Sequence, residues 1–304
     1  MSHALLDRCT FPAPGAEVDC AVSGGPDSVA LLVLAVEAGC DATAVHVDHG
    51  LRVDSGRDAD VVWAAAERVG AAFRSVRLEL DQGPNLEARA RAARYAALPE
   101  GVLTGHTADD QAETLVLNAL RGTGLDGLGG MRPGCRRPLL ALRRAETRAL
   151  CRDLGVATVD DPSNEDLRFR RNRVRHELMP LLDEIAERDV VPLLVRLAEH
   201  AREATDHLEL AAAVLDPTDG VALAGADPEL ARRAVRRWLR TTNPERHPPS
   251  RATVDRVLAV ARVEEGAAEV GGGWRVARTG GRLRLEPPAR GRRGNRASAP
   301  DERA

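Results

Sequence analysis

The chain has no lysine: all 43 of its residues in the Lys and Arg class are arginine. No catalytic lysine is therefore available, and no Gly-Lys-Ser/Thr phosphate loop of the Walker type occurs. No run of about 18 apolar residues appears, so nothing reads as a membrane-spanning helix. The short N-terminus lacks a secretory signal pattern. The cysteines, at 9, 20, 40, 135 and 151, contain no Cys-x-x-Cys. An odd, scattered set argues against a metal knuckle and fits a reduced, cytoplasmic protein. No internal repeat is visible.

What is present is organised around Ser23-Gly24-Gly25-Pro26-Asp27-Ser28. Val18–Val22 before it reads as a short buried strand, and Val29–Ala38 after it as a buried helix. Adjacent glycines on such a turn permit φ > 0 and close backbone approach to a ligand. Successive N–H groups and the helix N-terminus favour an anion there. Pro26 fits a first helical turn, where its missing N–H costs little. The bland alternative is a surface turn. The loop resembles the PP-loop of ATP pyrophosphatases, which cut ATP to AMP and pyrophosphate.

Strand and helix alternate over the first 121 residues: Ala42–Val47 as strand, Asp58–Val69 as helix, Phe73–Leu80 as strand, Leu86–Leu98 as helix, Val102–Thr104 as strand and Ala108–Arg121 as helix. This predicts βαβ units and an α/β fold with a parallel sheet, whose ligands sit beyond the carboxyl ends of the strands. The polar clusters fall there. His46, Asp48, His49 and Arg52 cluster at the end of the second strand. His106, Asp110 and Glu113 share the entry or one face of a helix capped by Thr107; acidic residues in a first turn also complement the macrodipole, which is the bland explanation for Asp109 and Asp110. Asn85 caps the Ala- and Arg-rich helix, where Glu87, Arg91, Arg94 and Tyr95 read equally as a salt-bridged face. The glycine-rich run Arg121–Gly130 implies a mobile loop with close backbone approaches, and Arg121 stands at its root. Arg137–Leu140 reads as an edge strand and Glu146–Leu154 as a helix. Asp19 is an odd residue for a buried strand.

Net charge is −3, but from Met131 to His176 twelve arginines face six acidic residues. One reading is a phosphate-contacting surface for nucleic acid. The other is that Arg168–Arg175 pair with Asp160, Asp161, Glu165 and Asp166 as a solvated face.

These motifs together resemble the tRNA(Ile)-lysidine synthetase family. The resemblance rests on Ser-Gly-Gly-Pro-Asp-Ser at 23–28, His-Val-Asp-His-Gly-Leu-Arg at 46–52, Asn-Leu-Glu-Ala-Arg-Ala-Arg at 85–91 and Gly-His-Thr-Ala-Asp-Asp-Gln-Ala-Glu-Thr at 105–114. Arg-Gly-Thr-Gly-Leu-Asp-Gly-Leu at 121–128, Asp-Pro-Ser-Asn at 161–164 and Arg-Asn-Arg-Val-Arg-His at 171–176 complete it. The last two are the more specific. Thr107 departs from the family, whose members often have another residue such as His there.

The resemblance implies a PP-loop catalytic domain over 1–186 and a smaller, mainly helical tRNA-recognition domain over 187–286. The second domain is read as helices at Val190–Leu215, Asp227–Leu239 and Arg251–Val263, then a meander of Ala268–Val270, Trp274–Arg278 and Arg282–Glu286. Residues 287–304, rich in Pro, Gly, Arg and Ser, read as a disordered tail. The chain looks like the shorter family form. The implied reaction is ATP-dependent ligation of free lysine to C2 of the wobble cytidine of the CAU-anticodon isoleucine tRNA, through an adenylated base, with release of AMP and pyrophosphate. Decoding then changes from AUG to AUA. ATP is the co-substrate, and Mg²⁺ is inferred from ATP chemistry, with its ligands unknown.

The expected roles follow from that chemistry. Ser23, Gly24, Gly25, Pro26, Asp27, Ser28, His46 and Arg52 bind ATP. Asp27, Asp48, His106, Asp110 and Glu113 are catalytic, with Asp110 and Glu113 orienting lysine. Arg89, Arg121, Arg137, Arg171, Asn172, Arg173, Arg175 and His176 contact tRNA or lysine. No membrane or protein partner is expected. The competing functions are a tRNA 2-thiolation enzyme, a PP-loop synthetase acting on a small molecule, and a tRNA-binding protein with a relic loop. Paired cysteines or an iron–sulfur cluster usually serve the first, and no Cys-x-x-Cys occurs. The Arg-rich stretch at 168–175 argues against the second, and intact Asp27, Asp110 and Glu113 against the third.

Overall fold

The computed structural model describes residues 2–48, 55–78, 93, 96–243 and 248–288, with backbone alone at 2, 55–57, 162 and 163. The chain divides into two compact units, Met1–Arg202 and Glu203–Ala304. The division falls inside a helix, Val191–Ala212, beyond the 186/187 boundary expected from the sequence.

The first unit opens with helix α1 (Ser2–Leu6), which the sequence reading did not anticipate, and is built on a parallel sheet. Strand β1 (Glu17–Ala21) lies between β2 (Asp41–Asp48) and β4 (Leu103–Thr104), and β3 (Ala72–Arg77) flanks β2, giving the order β3-β2-β1-β4. β1 and β2 run in register from Glu17 opposite Asp41 to Ala21 opposite Val45.

Helix α2 (Pro26–Glu37) is apolar all round because it is covered all round: Val29, Ala30, Leu31, Leu32, Leu34 and Ala35 are fully buried. It packs on the sheet on one side and on α6 (Arg144–Asp153) on the other, with Leu150 and Cys151 in the same core. A core of this kind holds α2 rigidly, and so fixes the loop that leads into it. Helix α3 (Ser55–Val69) covers β2 and β3 through Val62, Ala65 and Ala66. Helix α4 (Ala108–Ala119) follows β4.

Asp19 is not a buried anomaly. β1 alternates buried Val18 and Cys20 with more exposed Glu17, Asp19 and Ala21, and Asp19 accepts a bond from Arg74 on β3 at 3.0 Å.

Two expectations are corrected. Arg137–Leu140 is not an edge strand but a chain of tight turns, with Arg137 N–H bonding to Gly134 O and Leu140 N–H to Arg137 O. Pro138 has no N–H to contribute to a ladder, while Leu139 and Leu142 are drawn into the core. The glycine-rich run is not a bare loop: it contains the helical turn α5 (Leu125–Leu128), held by Asn118 Nδ2 donating to Gly127 O at 2.8 Å. Its close approaches are present, since a Cβ at Gly130 would meet Gln111 Oε1 at 2.7 Å.

From Arg170 the chain forms one continuous helical rod: α7 (Arg170–Arg173), a π turn (Val174–Leu178) and α8 (Met179–Ala186). Pro180 cannot donate the bond that regular α geometry would require of it, and the π turn stands just before it.

The second unit contains the helices α10 (Gly220–Gly225), α11 (Pro228–Thr242) and α12 (Arg251–Ala261) after the long helix α9 (Val191–Ala212), which begins in the first unit. Asp227 and Ser250 cap their helices through backbone N–H groups. The expected meander is an antiparallel sheet of β5 (Ala267–Gly271), β6 (Trp274–Thr279) and β7 (Arg282–Glu286). Val235, Leu239, Val254, Leu258, Val276 and Leu283 close its core. The helix expected at Leu86–Leu98 falls mostly outside the described residues, as do 289–304 of the expected tail.

Candidate active site

β1 and α2 hold the two ends of the Ser23–Gly25 loop, and its two glycines differ. Gly24 has φ +91°, and a Cβ there would lie 2.9 Å from Val159 Cγ2, so the fold itself requires glycine. Val159 N–H also bonds to Gly24 O at 2.9 Å. Gly25 has φ −67°, and the nearest atom to a Cβ there is Ser23 Oγ at 3.7 Å. The fold would accept a side chain at 25.

Ser28 Oγ accepts from Ser23 N–H at 3.1 Å and donates to Gly25 O at 2.8 Å, bracing the loop. His46 is buried, with Nδ1 2.9 Å from Val22 O, and holds the loop's base. A third glycine matters. A Cβ at Gly105 would fall 2.5 Å from Asp27 O, so the β4–α4 turn lies directly on the first turn of α2. That contact brings the loop and the start of α4 together.

Beside the loop, three carboxylates meet three guanidinium groups. Asp110 and Glu113 are buried on α4, with Glu113 only 2% exposed. Arg144, at the first position of α6, donates to Asp110 Oδ1 at 2.9 Å and Glu113 Oε1 at 3.1 Å, and its Nε lies 3.4 Å from Asp27 Oδ2. Arg171 donates to Asp110 Oδ1 at 2.9 Å and Glu113 Oε2 at 2.8 Å. Arg175 donates to Glu113 Oε1 at 2.7 Å and Oε2 at 3.2 Å. The spacing of Arg171 and Arg175 places both guanidiniums on the same acid pair. Thr147, fully buried on α6, donates its hydroxyl to Asp27 Oδ1.

The electrostatics differ along this row. Burial raises the Asp27 carboxyl above the usual range, more than Thr147 and Arg144 lower it. Burial also disfavours the charge of Asp110, but Arg144, Arg171 and the Thr107 N–H together outweigh it and hold its carboxyl below the usual range. Arg144 itself is strongly held in its charged form; burial opposes that charge, and Asp110, Glu113 and Asp27 more than compensate. Asp109, adjacent in sequence, faces elsewhere: it takes the Arg143 guanidinium at 3.1 and 3.2 Å and Arg144 N–H at 2.7 Å.

The expected substrate residues divide. Arg171 and Arg175 turn inward to the acid pair. Arg173 is exposed and pairs with Glu177 at 2.8 Å. Asn172 donates to Asp166 O at 3.0 Å, and His176 Nε2 sits 3.0 Å from Asn164 O, so both fix the turn after Asp161. Arg168 pairs with Asp166, as the solvated-face reading expects. Arg121 is exposed and reaches Asn118. Arg137 donates to Arg132 O at 3.3 Å. His106 Nδ1 lies 2.9 Å from Thr104 Oγ1 at the entry to α4, and Asp48 ends β2. Arg52, Arg89 and His49 lie outside the described residues. Among the described residues no three His, Cys, Asp or Glu side chains form a metal-holding group.

Sequence reasoning missed Arg144, Thr147 and Gly105. One signal was available for Arg144: a cation in the first turn of a helix opposes the macrodipole, so an arginine there needs anions from elsewhere in the fold.

A parallel sheet, a glycine loop leading into a buried helix and a polar cluster at the strands' carboxyl ends define a nucleotide-binding α/β domain of the PP-loop class. The PP-loop domain family matches residues 4–182, and a TilS substrate binding domain matches residues 221–284. Over 95% of this chain and 98% of the relative, the sequence is 39% identical to a tRNA(Ile)-lysidine synthase of Nocardia farcinica. A tRNA(Ile)-lysidine synthase of Mycolicibacterium paratuberculosis is 44% identical over 72% of this chain and 73% of its own length. The chain belongs to the tRNA(Ile)-lysidine synthase family. The fold is also that of a solved U34-tRNA thiolase, NcsA from Methanococcus maripaludis, at a TM-score of 0.55 and 17% identity over 66% of this chain and 78% of that one.

Proposed function

We infer that the chain is a tRNA(Ile)-lysidine synthase, an ATP-dependent ligase that joins free lysine to C2 of the wobble cytidine of the CAU-anticodon isoleucine tRNA. The observation that carries this reading is the placement of a phosphate-type loop beside the buried pair Asp110 and Glu113, in a chain so similar along its length to that family.

The chemistry has two requirements. The C2 oxygen of cytosine is a poor leaving group, so it first attacks the α-phosphate of ATP and pyrophosphate departs. The Ser23–Ser28 loop and the α2 N-terminus suit the pyrophosphate end of ATP. Mg²⁺ is generally held through one or two carboxylates plus substrate phosphates; here Asp27 would be the loop carboxylate, and the ion would supply positive charge against the departing pyrophosphate.

The lysine ε-amine then displaces AMP. A free amine has a pKa of about 10.4, so the site must hold an ammonium and release its proton. Asp110 and Glu113 are the buried carboxylates suited to that, with His106 at the same helix entry. Residues 221–284 grip the tRNA, and exposed Arg173 and Arg121 contact its phosphates. The location is the cytoplasm, where the tRNA substrate is found; among the described residues no helix is long and apolar enough to cross a membrane.

The test is incubation with ATP, radiolabelled lysine and transcribed isoleucine tRNA. Label should enter the tRNA only with ATP present and only when the wobble base is cytidine. Label-free tRNA under conditions that sustain a control synthase would overturn the reading.

A further inference from the structure

Every carboxylate oxygen of Asp110 and Glu113 is already engaged. Asp110 Oδ2 takes the Thr107 N–H at 2.9 Å and hydroxyl at 3.0 Å, and Oδ1 takes Arg144 and Arg171. Glu113 takes Arg144, Arg171 and Arg175. With Asp27, the cluster balances three acids against three guanidiniums. An ammonium entering it would add a fourth positive charge to a buried neutral set, an arrangement that like-charge repulsion and desolvation both oppose. Lysine therefore has no seat until a guanidinium leaves.

Of the three arginines, Arg144 is the one that also reaches Asp27, on the turn where phosphate is read to bind. Phosphate oxygens accept a guanidinium fork as well as a carboxylate does. Resting on the function inferred above, we propose that Arg144 is a positioning residue that couples the two substrates: ATP draws its guanidinium from Asp110 and Glu113 to the polyphosphate, and the lysine ammonium then takes its place on Asp110 Oδ1 and Glu113 Oε1, which keep Arg171 and Arg175 respectively. Nucleotide binding thus precedes and promotes amine binding. Thr147 supports the exchange by holding Asp27 in place as Arg144 moves.

The test is equilibrium dialysis of radiolabelled lysine against the full chain, with and without an ATP analogue carrying a methylene bridge between the α and β phosphates. Wild type should bind lysine at least about tenfold more tightly with the analogue, and by reciprocity lysine should tighten the analogue by the same factor. Arg144→Gln should bind lysine more tightly than wild type in the absence of nucleotide, with the coupling factor falling close to one. Arg144→Lys, which keeps the charge, should recover part of it. A merely structural role would weaken lysine binding in Arg144→Gln with and without analogue alike.

Equal lysine affinity in wild type with and without analogue overturns the exchange, and that measurement needs no variant to fold. If the same preparation still ligates lysine to tRNA, the function stands and only the coupling fails. If it does not ligate, the functional reading fails with it.

Discussion

The loop and the acid–arginine cluster meet at Asp27, yet they are built in opposite ways. The loop is six consecutive residues whose work is done by backbone and by missing side chains. The cluster is assembled from α2, α4, α6 and the rod that begins at α7, and its work is done by charged side chains that are 2% to 33% exposed. The loop is local and open at Gly25. The cluster is long-range and, without substrate, satisfied. On the exchange proposed above, substrate adds to the first and rearranges the second.

The largest expected effect lies in the cluster. Glu113→Ala leaves three guanidiniums facing Asp27 and Asp110 alone. Breaking a buried ion pair by removing one partner costs about 3–5 kcal/mol, so urea unfolding should show a loss of that order. A loss below about 1 kcal/mol would mean that the cluster is more hydrated than its burial indicates.

The loop should separate stability from function. Gly24→Ala forces an L residue to φ +91° against Val159, a strain of about 1–3 kcal/mol. Gly25→Ala should cost no more than about 1 kcal/mol, as an N-cap change, yet reduce tRNA-dependent ATP–pyrophosphate exchange at least about tenfold. If Gly25→Ala exchanges normally, the open space above residue 25 is not where the nucleotide lies.

The two aspartates on either side of Arg144 should answer pH with opposite signs. The Asp110 carboxyl is lowered in the fold, so its stabilisation is present above the unfolded value of about 3.9 and is lost as pH falls through the lower folded value. Asp27 is raised by burial, so its contribution favours the fold at low pH and is lost as pH rises through the raised value. At pH 7, Asp110→Asn should therefore destabilise the protein, and Asp27→Asn should leave it unchanged or more stable while abolishing exchange. Thermal melts at pH 7 and pH 4 check both; destabilisation by Asp27→Asn at pH 7 would reverse the sign assigned to its environment.

The smallest effect belongs to the outward face. Arg173→Ala removes an exposed i,i+4 pair with Glu177 worth about 0.3–0.5 kcal/mol. It should raise the KM for tRNA and reduce the salt slope by about one phosphate contact, with the KM values for lysine and ATP unchanged. Equal shifts in all three KM values would place Arg173 in the fold rather than on the RNA.

The same contrast explains what was legible in the sequence. The sheet, α2 and the meander are carried by local periodicity, and glycines mark their turns. The loop was legible because its chemistry lies in consecutive residues. Asp110 and Glu113 were legible as a pair because helical spacing puts them on one face. Their partners were not, since pairing Arg144 with residues 31 to 117 positions away is a tertiary fact. Arg171 and Arg175 were visible as a basic run, and proximity in sequence suggested Asp160 to Asp166 as their alternative partners. The fold instead turns them to α4, because the rod starting at Arg170 lies against that helix through Val174. Arg137–Leu140 misled because an apolar pair after Pro138 looks like a strand when only composition is read.

The claim that the loop and the cluster serve two successive steps of one reaction is tested most directly by Glu113→Gln, which keeps the shape of the side chain and removes its charge. tRNA-dependent ATP–pyrophosphate exchange and lysine transfer to tRNA are measured on the same preparation. Exchange should stay within about threefold of wild type while lysine transfer falls by about 10²-fold or more, the loss of roughly 2.7 kcal/mol from the second step alone. Equal loss of both half-reactions would place Glu113 with the nucleotide instead and contradict the division of labour.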